Sequence, residues 1–180
     1  MAMKSRLLIF EKLFFVALVI FVISYFTYDK LINSSPENKL MEQEKSTIEG
    51  SNILGERIVE FGMEFLGTPY VASGCSKDGF DCSGFVYFVF QNFKIEVPRS
   101  SADFDQFGEE IPIENVQKGD LLLFLSPTRN VIGHIGIVSN PNGSKSDFIH
   151  ASSGREMKVI ISSLEGKGYT DRFVKAIRVI

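Results

Sequence analysis

The chain has 180 residues, a formal net charge of -3 and two cysteines. The near balance of charge, with a pI of about 5.5, argues against a nucleic-acid-binding protein, which normally carries a basic excess. Two cysteines are too few for a disulfide-rich scaffold or a four-thiolate zinc site. With 44% apolar and 23% charged residues, the composition is that of a globular chain and excludes wholesale disorder.

The first 28 residues are far more apolar than the rest of the chain. Between Leu13 and Phe26 the only side chain outside the apolar and aromatic classes is Ser24, and basic residues such as Lys4 and Arg6 precede this run. A positive start followed by an apolar run is typical of an export signal or an N-terminal membrane anchor. Because no convincing cleavage site of small residues follows, we favour an uncleaved anchor with its N terminus inside. Either interpretation places the remaining residues outside the cytoplasm, in the periplasm or cell envelope.

Residues 29–50 differ from this apolar segment in being polar and rich in charge. They include an Asn-Ser-Ser-Pro-Glu-Asn run, which is typical of a linker. Residues 51–180 then form one domain, which is long enough to bury a hydrophobic core. The predicted organisation is a membrane or signal segment over 1–28, a polar linker over 29–50 and a single domain over 51–180.

The first half of this domain has helical patterns. Apolar residues recur at helical spacing from Leu54 to Phe65 and predict an amphipathic helix over residues 52–66. The segment from Cys82 to Phe93 is apolar on nearly all sides, as expected of a central buried helix.

The second half of the domain has the pattern of short strands separated by turns. Helices followed by strands are typical of an α+β fold, in which the strands pair antiparallel. The predicted strands cover residues 121–125, 134–139, 147–151, 158–161 and 173–180, and a short helix is predicted over 101–107.

The chain has only two histidines, one at the start of a predicted strand and one at the end of the next. If these strands form a hairpin, Ser139 pairs with Asp147 and His150 faces Gly136. His134 then lies on the same sheet face as His150, as a diagonal neighbour about 7 Å away at Cα. An imidazole contact between the two histidines is therefore expected.

Cys82 stands at the start of the predicted buried helix, after a glycine-containing loop. The positive end of a helix dipole favours a thiolate and lowers the pKa of a cysteine there. The backbone N–H of Cys82 can also help to stabilise an oxyanion. A thiolate, an imidazole and a second polar group that orients the imidazole form a nucleophilic triad in any chain order. The alternative is that Cys82 is a buried structural cysteine.

Six short sequence motifs follow one another between Leu66 and Ala151, and both the motifs and their order are characteristic of a protein family. They are Leu66-Gly67-Thr68-Pro69-Tyr70, Asp78-Gly79-Phe80-Asp81-Cys82-Ser83-Gly84-Phe85-Val86, Pro98-Arg99-Ser100-Ser101, Lys118-Gly119-Asp120-Leu121, His134-Ile135-Gly136-Ile137-Val138 and Phe148-Ile149-His150-Ala151. From Leu66 to the C terminus, the chain resembles the NlpC-type family of papain-like bacterial cell-wall peptidases.

The resemblance implies a papain-like α+β fold, in which N-terminal helices pack on a central antiparallel sheet. It implies a cysteine endopeptidase that hydrolyses amide bonds in peptidoglycan stem peptides, typically between D-glutamate and the next diamino acid, without a metal or cofactor. Cys82 then matches the nucleophile, His134 the general base and acid, and His150 the third member of the triad. The implied partners are the stem peptides, whereas the expected association with the membrane follows from the apolar pattern of residues 1–28.

The resemblance also implies a set of substrate-binding residues. Tyr70 matches a tyrosine that lines the active site, where its hydroxyl helps to hold the oxyanion. Asp81 and Ser83 match positions that, in relatives cutting near a free stem-peptide N terminus, contact its ammonium group. Arg99 matches a position beside the cleft.

Other interpretations remain open at this point. Cys75 and Cys82 could form a permanent disulfide, or a reversible one that switches the enzyme off. A zinc site from both cysteines and both histidines is a further alternative, although the cysteine spacing is unusually wide for one. The rival functions are a non-catalytic wall-binding module on the same fold, and an amidase or acyltransferase that acts on a substrate outside the wall.

Overall fold

The computed structural model describes residues 17–28 and 36–180. The chain divides into two compact units, Met1–Glu49 and Gly50–Ile180. Residues 17–28 form helix α1, whose large apolar and aromatic side chains are exposed. Within these two ranges, no helix combines the length and apolar character needed to cross a membrane. The predicted anchor or signal covers residues 1–28, of which residues 1–16 lie outside the described residues.

Helix α2 (Pro36–Met63) begins well before the helix that the apolar spacing predicts. Its residues from Lys39 to Gly50 are exposed and include many Glu, Lys, Met and Gln residues, which have high intrinsic helix propensity. Propensity therefore extends the helix into the segment predicted as a linker, where no apolar stripe marks it. The helix also ends earlier than predicted, because turns follow Met63 and Gly67 adopts a left-handed φ of 87°.

The strands form two antiparallel sheets, which confirms the predicted α+β class. Strands β1 and β2 form a hairpin, and the other six form one sheet in the order β3-β8-β4-β5-β6-β7. The elements are β1 (Cys75–Ser76), β2 (Gly79–Phe80), α3 (Cys82–Asn92), a 3-10 helix (Ser101–Gln106), β3 (Glu109–Ile111), a second 3-10 helix (Ile113–Asn115), β4 (Leu121–Leu125), β5 (Ile132–Asn140), β6 (Asp147–Ser152), β7 (Lys158–Ser163), α4 (Lys167–Thr170) and β8 (Phe173–Arg178).

The centre of the six-stranded sheet is buried on both faces. Leu121 and Leu123 belong to a large cluster that includes the apolar residues of α3, such as Phe85. Leu122 and Phe124 alternate with them and pack in a second cluster. All five side chains have no exposed surface, so α3 is fixed against the sheet as its apolar sequence predicts.

The pairing of β5 with β6 sets the positions of the two histidines. Ile137 pairs with Ile149, in the register that the hairpin argument predicts. The predicted pair of Ser139 with Asp147 is wrong, because a bulge shifts the ladder and Asp147 pairs with Asn140. The extra residue is absorbed at the turn end of the hairpin, so the register towards the histidines is unchanged.

Candidate active site

Asp81 holds the start of the helix that carries Cys82. Its side chain accepts a hydrogen bond from the backbone N–H of Gly84 at 2.6 Å, which makes it the N-cap of α3. A Cβ atom at residue 84 would overlap the carbonyl oxygen of Gly74, so only glycine lets the helix start pack against that loop. The Asp-Cys-Ser-Gly string therefore places the Cys82 thiol at the N-terminal end of the helix.

The Cys82 thiol is buried against the strand that carries His134. Its Sγ lies 3.8 Å from the carbonyl oxygen of Gly133, and 8% of the residue is exposed. Burial, with a smaller contribution from the Asp81 charge, raises the pKa of Cys82, although the backbone N–H groups of Ser83, Cys82 and Ile135 act in the opposite direction. The prediction of a lowered thiol pKa is therefore wrong for this structure, and Cys82 needs a base to remove its proton.

The two histidines contact each other as the hairpin argument predicts. His134 Nε2 lies 2.9 Å from His150 Nδ1, and the rings meet edge to face at an angle of 88°. Burial, with a smaller contribution from the Arg172 charge, lowers the pKa of His134 to about 4. Burial also lowers the pKa of His150, which has no exposed surface. Both imidazoles are therefore neutral at pH 7. When His134 Nε2 donates its hydrogen to His150 Nδ1, His134 Nδ1 is the ring nitrogen able to accept a proton.

Gly136 makes room for this histidine pair. A Cβ atom at this position would run into the ring of Phe148 and lie 3.2 Å from the Cβ atom of His150. The ring of Phe148 packs against His150 with 4.9 Å between the centroids. The glycine two residues after His134 thus allows the neighbouring strand to bring His150 close.

Two further side chains contact His150, and neither was among the predicted site residues. Ser162 Oγ lies 2.9 Å from His150 Nε2, and the Tyr169 hydroxyl lies 3.3 Å from the same nitrogen. Since His150 pairs with Ile160, Ser162 is its diagonal neighbour on the next strand. The predicted strand ended at residue 161, one residue short of this contact. Tyr169 belongs to the short helix α4, a segment in which no helical spacing of apolar residues is present.

The predicted substrate residues lie together on the Cys82 side of the site. A cavity of about 530 Å³ is lined by Cys82 with Tyr70, Asp81, Ser83 and Arg99. Burial, with smaller contributions from the Cys82 and Asp81 charges, raises the pKa of Tyr70, so its hydroxyl stays protonated at the cavity wall.

A second cavity, of about 270 Å³, lies on the other side of Gly133, which lines both cavities. His134, Tyr169 and Arg172 line this second cavity. The thiol and the imidazole thus line neighbouring cavities, one on each side of Gly133. His150 lies behind the surface and lines neither.

Arg99 forms hydrogen bonds with Asp81 and Ser83, two residues predicted to bind the substrate. Its two terminal nitrogens donate to the two carboxylate oxygens of Asp81 at 3.0 and 2.9 Å, and one also donates to Ser83 Oγ at 3.2 Å. The same guanidinium donates to the carbonyl oxygen of Ser73 at 2.8 Å. Both Asp81 oxygens are therefore occupied within the protein, by the helix cap and by Arg99.

Cys75 differs from Cys82 in its exposure to solvent. It is exposed on β1, it is a free thiol, and Cys82 is also free, so the structure does not contain the alternative disulfide. Within residues 17–28 and 36–180, no group of three or more His, Cys, Asp and Glu side chains is arranged to hold a metal ion.

The Cys82 thiol lies at a helix N terminus and contacts Gly133, which directly precedes His134, and His134 contacts a second imidazole. These are the groups that a thiol-dependent hydrolase requires. Similarity to known sequences identifies the family to which the chain belongs. The chain belongs to the NlpC/P60 family, whose sequence profile matches residues 67–178.

Two similar proteins are named as peptidases that act on cell-wall peptides. The chain is 31% identical over 159 residues to the "Murein DD-endopeptidase MepS/Murein LD-carboxypeptidase" of Escherichia coli, covering 82% of this chain and 80% of that protein. It is 39% identical over 83 residues to the "Gamma-D-glutamyl-L-lysine dipeptidyl-peptidase" of Bacillus subtilis, covering 46% of this chain and 28% of that protein.

A solved structure shares this fold. The crystal structure of an NlpC/P60 family protein from Bacillus cereus superposes with a TM-score of 0.62 at 30% identity, covering 69% of this chain and 40% of that chain.

Proposed function

We propose that this chain is a cysteine endopeptidase that hydrolyses an amide bond in peptidoglycan stem peptides, typically the bond from D-glutamate to the next diamino acid. The observation that carries the proposal is the buried, hydrogen-bonded pair of His134 and His150, on a strand whose Gly133, directly before His134, contacts the Cys82 thiol. Membership of the NlpC/P60 family and the murein-directed names of similar proteins support the choice of substrate.

The proposed reaction begins with proton transfer from Cys82 to His134. As Sγ attacks the carbonyl carbon of the scissile amide, His134 Nδ1 takes the thiol proton, and His150 Nδ1 accepts a hydrogen bond from His134 Nε2. The backbone N–H of Cys82 and the hydroxyl of Tyr70 donate to the developing oxyanion. When the carbon–nitrogen bond breaks, the imidazolium returns its proton to the leaving amine.

The second half of the reaction regenerates the thiol. A water molecule attacks the thioester on Cys82 while His134 accepts one of its protons. The carbon–sulfur bond then breaks, the acyl product leaves as a carboxylic acid, and the proton held by His134 returns to the sulfur. The neutral state of His134 at pH 7 suits both steps, because each begins with acceptance of a proton.

The two cavities suggest how a stem peptide is bound. In the proposed complex the acyl part of the substrate lies in the Cys82 cavity, along Tyr70, Ser83 and the pair of Asp81 with Arg99. The leaving amine lies in the His134 cavity, where the imidazolium can protonate it. Because Arg99 already neutralises Asp81, recognition of a substrate ammonium in this chain requires that group to compete with the guanidinium.

Defined muropeptides test the proposed reaction. The full chain, solubilised in a mild detergent, is incubated with purified disaccharide peptides, and the products are identified by mass spectrometry. The expected result is cleavage of one stem-peptide amide, which leaves a new carboxylate and a new amine. A panel of amides without wall peptides separates the rival enzyme class, and muropeptide binding without cleavage would identify a binding module instead.

We also propose that the chain acts outside the cytoplasm and that residues 1–28 attach it to the membrane or direct its export. The support is the basic start of this segment and the exposed apolar side chains of α1. Protease added to spheroplasts of cells that express the full chain should degrade it while a cytoplasmic marker survives. Protection of the chain until the membrane is lysed would overturn this localisation.

A further inference from the structure

We propose that Ser162 and Tyr169 are positioning residues that fix the proton arrangement of His150 and, through it, the basicity of His134 Nδ1. The inference rests on the proposed function of the same site. Ser162 Oγ lies 2.9 Å and the Tyr169 hydroxyl 3.3 Å from His150 Nε2. The other ring nitrogen of His150 lies 2.9 Å from His134.

The proton arrangement follows from the chemistry of the neutral ring. A neutral imidazole carries one N–H and one unprotonated nitrogen. To accept the thiol proton, His134 must keep Nδ1 unprotonated, so its hydrogen lies on Nε2 and is donated to His150 Nδ1. His150 must then carry its own hydrogen on Nε2. That N–H needs an acceptor, and the hydroxyl oxygens of Ser162 and Tyr169 provide it.

The opposite arrangement would block the base. With its hydrogen on Nδ1, His150 would point an N–H at His134 Nε2, which would have to accept it. The hydrogen of His134 would then lie on Nδ1, where no proton can be accepted from Cys82. During the reaction the constraint is stronger, because protonated His134 has an N–H on both nitrogens and needs an unprotonated His150 Nδ1.

The surroundings hold both hydroxyls at this nitrogen. Ser162 lies on β7, whose pairing with β6 runs from Asp147–Ser163 to Ser152–Lys158. The ring of Tyr169 packs edge to face on Phe148 and His150, with centroid distances of 5.0 and 5.4 Å. Because His150 has no exposed surface, bulk water does not reach its ring to replace a lost hydroxyl.

Nuclear magnetic resonance of the imidazole nitrogens reads the proton arrangement directly and needs no substrate. The chain has only two histidines, so a ¹⁵N-histidine sample purified without a histidine tag shows only two side chains. The expected state of His150 in the wild type is a protonated Nε2 and an unprotonated Nδ1. In the Ser162→Ala/Tyr169→Phe double variant, this signature should be lost or averaged with the Nδ1-protonated form.

Kinetics on the same variants tests the consequence for catalysis. Loss of one acceptor should lower kcat about 3- to 10-fold, and loss of both about 10- to 100-fold, with KM nearly unchanged. Ser162→Thr keeps the hydroxyl and should restore the proton arrangement and most of kcat. Ser163→Ala is the matched control, because Ser163 Oγ accepts only a backbone hydrogen bond from Glu165 and does not contact His150.

The outcomes separate the two proposals. A folded double variant with the wild-type proton arrangement and wild-type kcat would overturn the positioning role. If the double variant does not fold, the two single variants and Ser162→Thr decide by the same readouts. If the wild type cleaves no muropeptide but the nitrogen signals change as expected, the proposed function fails while the positioning of His150 stands.

Discussion

Asp81 and Arg99 form a bidentate ion pair at the start of the helix that carries Cys82, with N–O distances of 3.0 and 2.9 Å. The pair joins the cap of α3 to the loop at Ser73, whose carbonyl oxygen also accepts from Arg99. It therefore fixes the wall of the cavity next to the thiol and neutralises the carboxylate that lies closest in sequence to it. Its predicted contribution is to keep Cys82 reactive as well as to hold the helix start.

Replacing Arg99 by Gln should slow the reaction of the Cys82 thiol. Burial and, to a smaller extent, the Asp81 charge raise the pKa of Cys82, and loss of the Arg99 counterion strengthens the effect of that charge. The expected result is a slower alkylation of Cys82 by iodoacetamide at pH 8, measured by mass spectrometry in a Cys75→Ser background. The free energy of unfolding should also fall by about 1 kcal/mol, a modest loss because Arg99 is partly exposed. Lys118→Gln, which removes an exposed ion pair with Glu56, is the control. An unchanged alkylation rate in Arg99→Gln would contradict this role.

The acid limit of activity should lie near pH 4. His134 must be neutral to accept the thiol proton, and burial lowers its pKa to about 4. The value of kcat/KM should therefore stay nearly constant from pH 7 down to about pH 5 and fall below that. Arg172→Gln removes a charge that lowers this pKa, so it should move the acid limit to higher pH. A wild-type acid limit near 6.5, the ordinary value for histidine, would count against the burial of a neutral base.

The same histidine should make the folded state less stable in acid. The pKa of His134 is lower in the folded chain than its ordinary value of about 6.5, so protons bind preferentially to the unfolded chain between these two values. Its contribution is fully present above pH 6.5 and is lost as the pH falls towards 4, by about 3 kcal/mol. Urea unfolding at pH 7 and pH 4.5 should show a smaller difference for His134→Gln than for the wild type. An equal pH dependence in the two proteins would show that His134 titrates normally.

Gly136→Ala should damage the histidine pair without touching a reacting group. Its methyl group would overlap the ring of Phe148 and crowd His150, which costs about 1–3 kcal/mol of stability in a well-packed core. We expect a lower melting temperature and a lower kcat. Gly50→Ala, where the added methyl group meets no atom within 4 Å, is the matched control. It should leave kcat close to wild type and should not lower the melting temperature, because alanine favours the interior of helix α2. A kcat for Gly136→Ala equal to that of the control would show that the pair tolerates displacement.

The sequence predicts those parts of the site that depend on local pattern. Cys82 at a helix start and the contact between His134 and His150 follow from helix and hairpin periodicity, and the structure agrees with both. Ser162 was not predicted because the predicted strand ends at residue 161, whereas β7 continues to Ser163. The capping role of Asp81 could have been predicted, since aspartate directly before an apolar helix is a common N-cap.

Other features depend on tertiary packing and could not be predicted from pattern. The pKa of Cys82 is set by how deeply α3 is buried, and burial outweighs the helix dipole that the sequence argument relied on. Tyr169 reaches His150 from the short helix α4, which has too few residues to show a period. The ion pair of Arg99 with Asp81 joins residues 18 positions apart across a loop, where no regular spacing relates them.

The most direct test of the central claim compares the two cysteines as nucleophiles. Full-length wild type, Cys82→Ala and Cys75→Ala are incubated in parallel with the same purified muropeptide, and the cleaved amide is quantified by mass spectrometry. The proposed mechanism predicts that Cys82→Ala cleaves nothing above background, because the attacking sulfur is gone, while Cys75→Ala stays close to wild type. Cleavage by Cys82→Ala at the wild-type rate would contradict the mechanism.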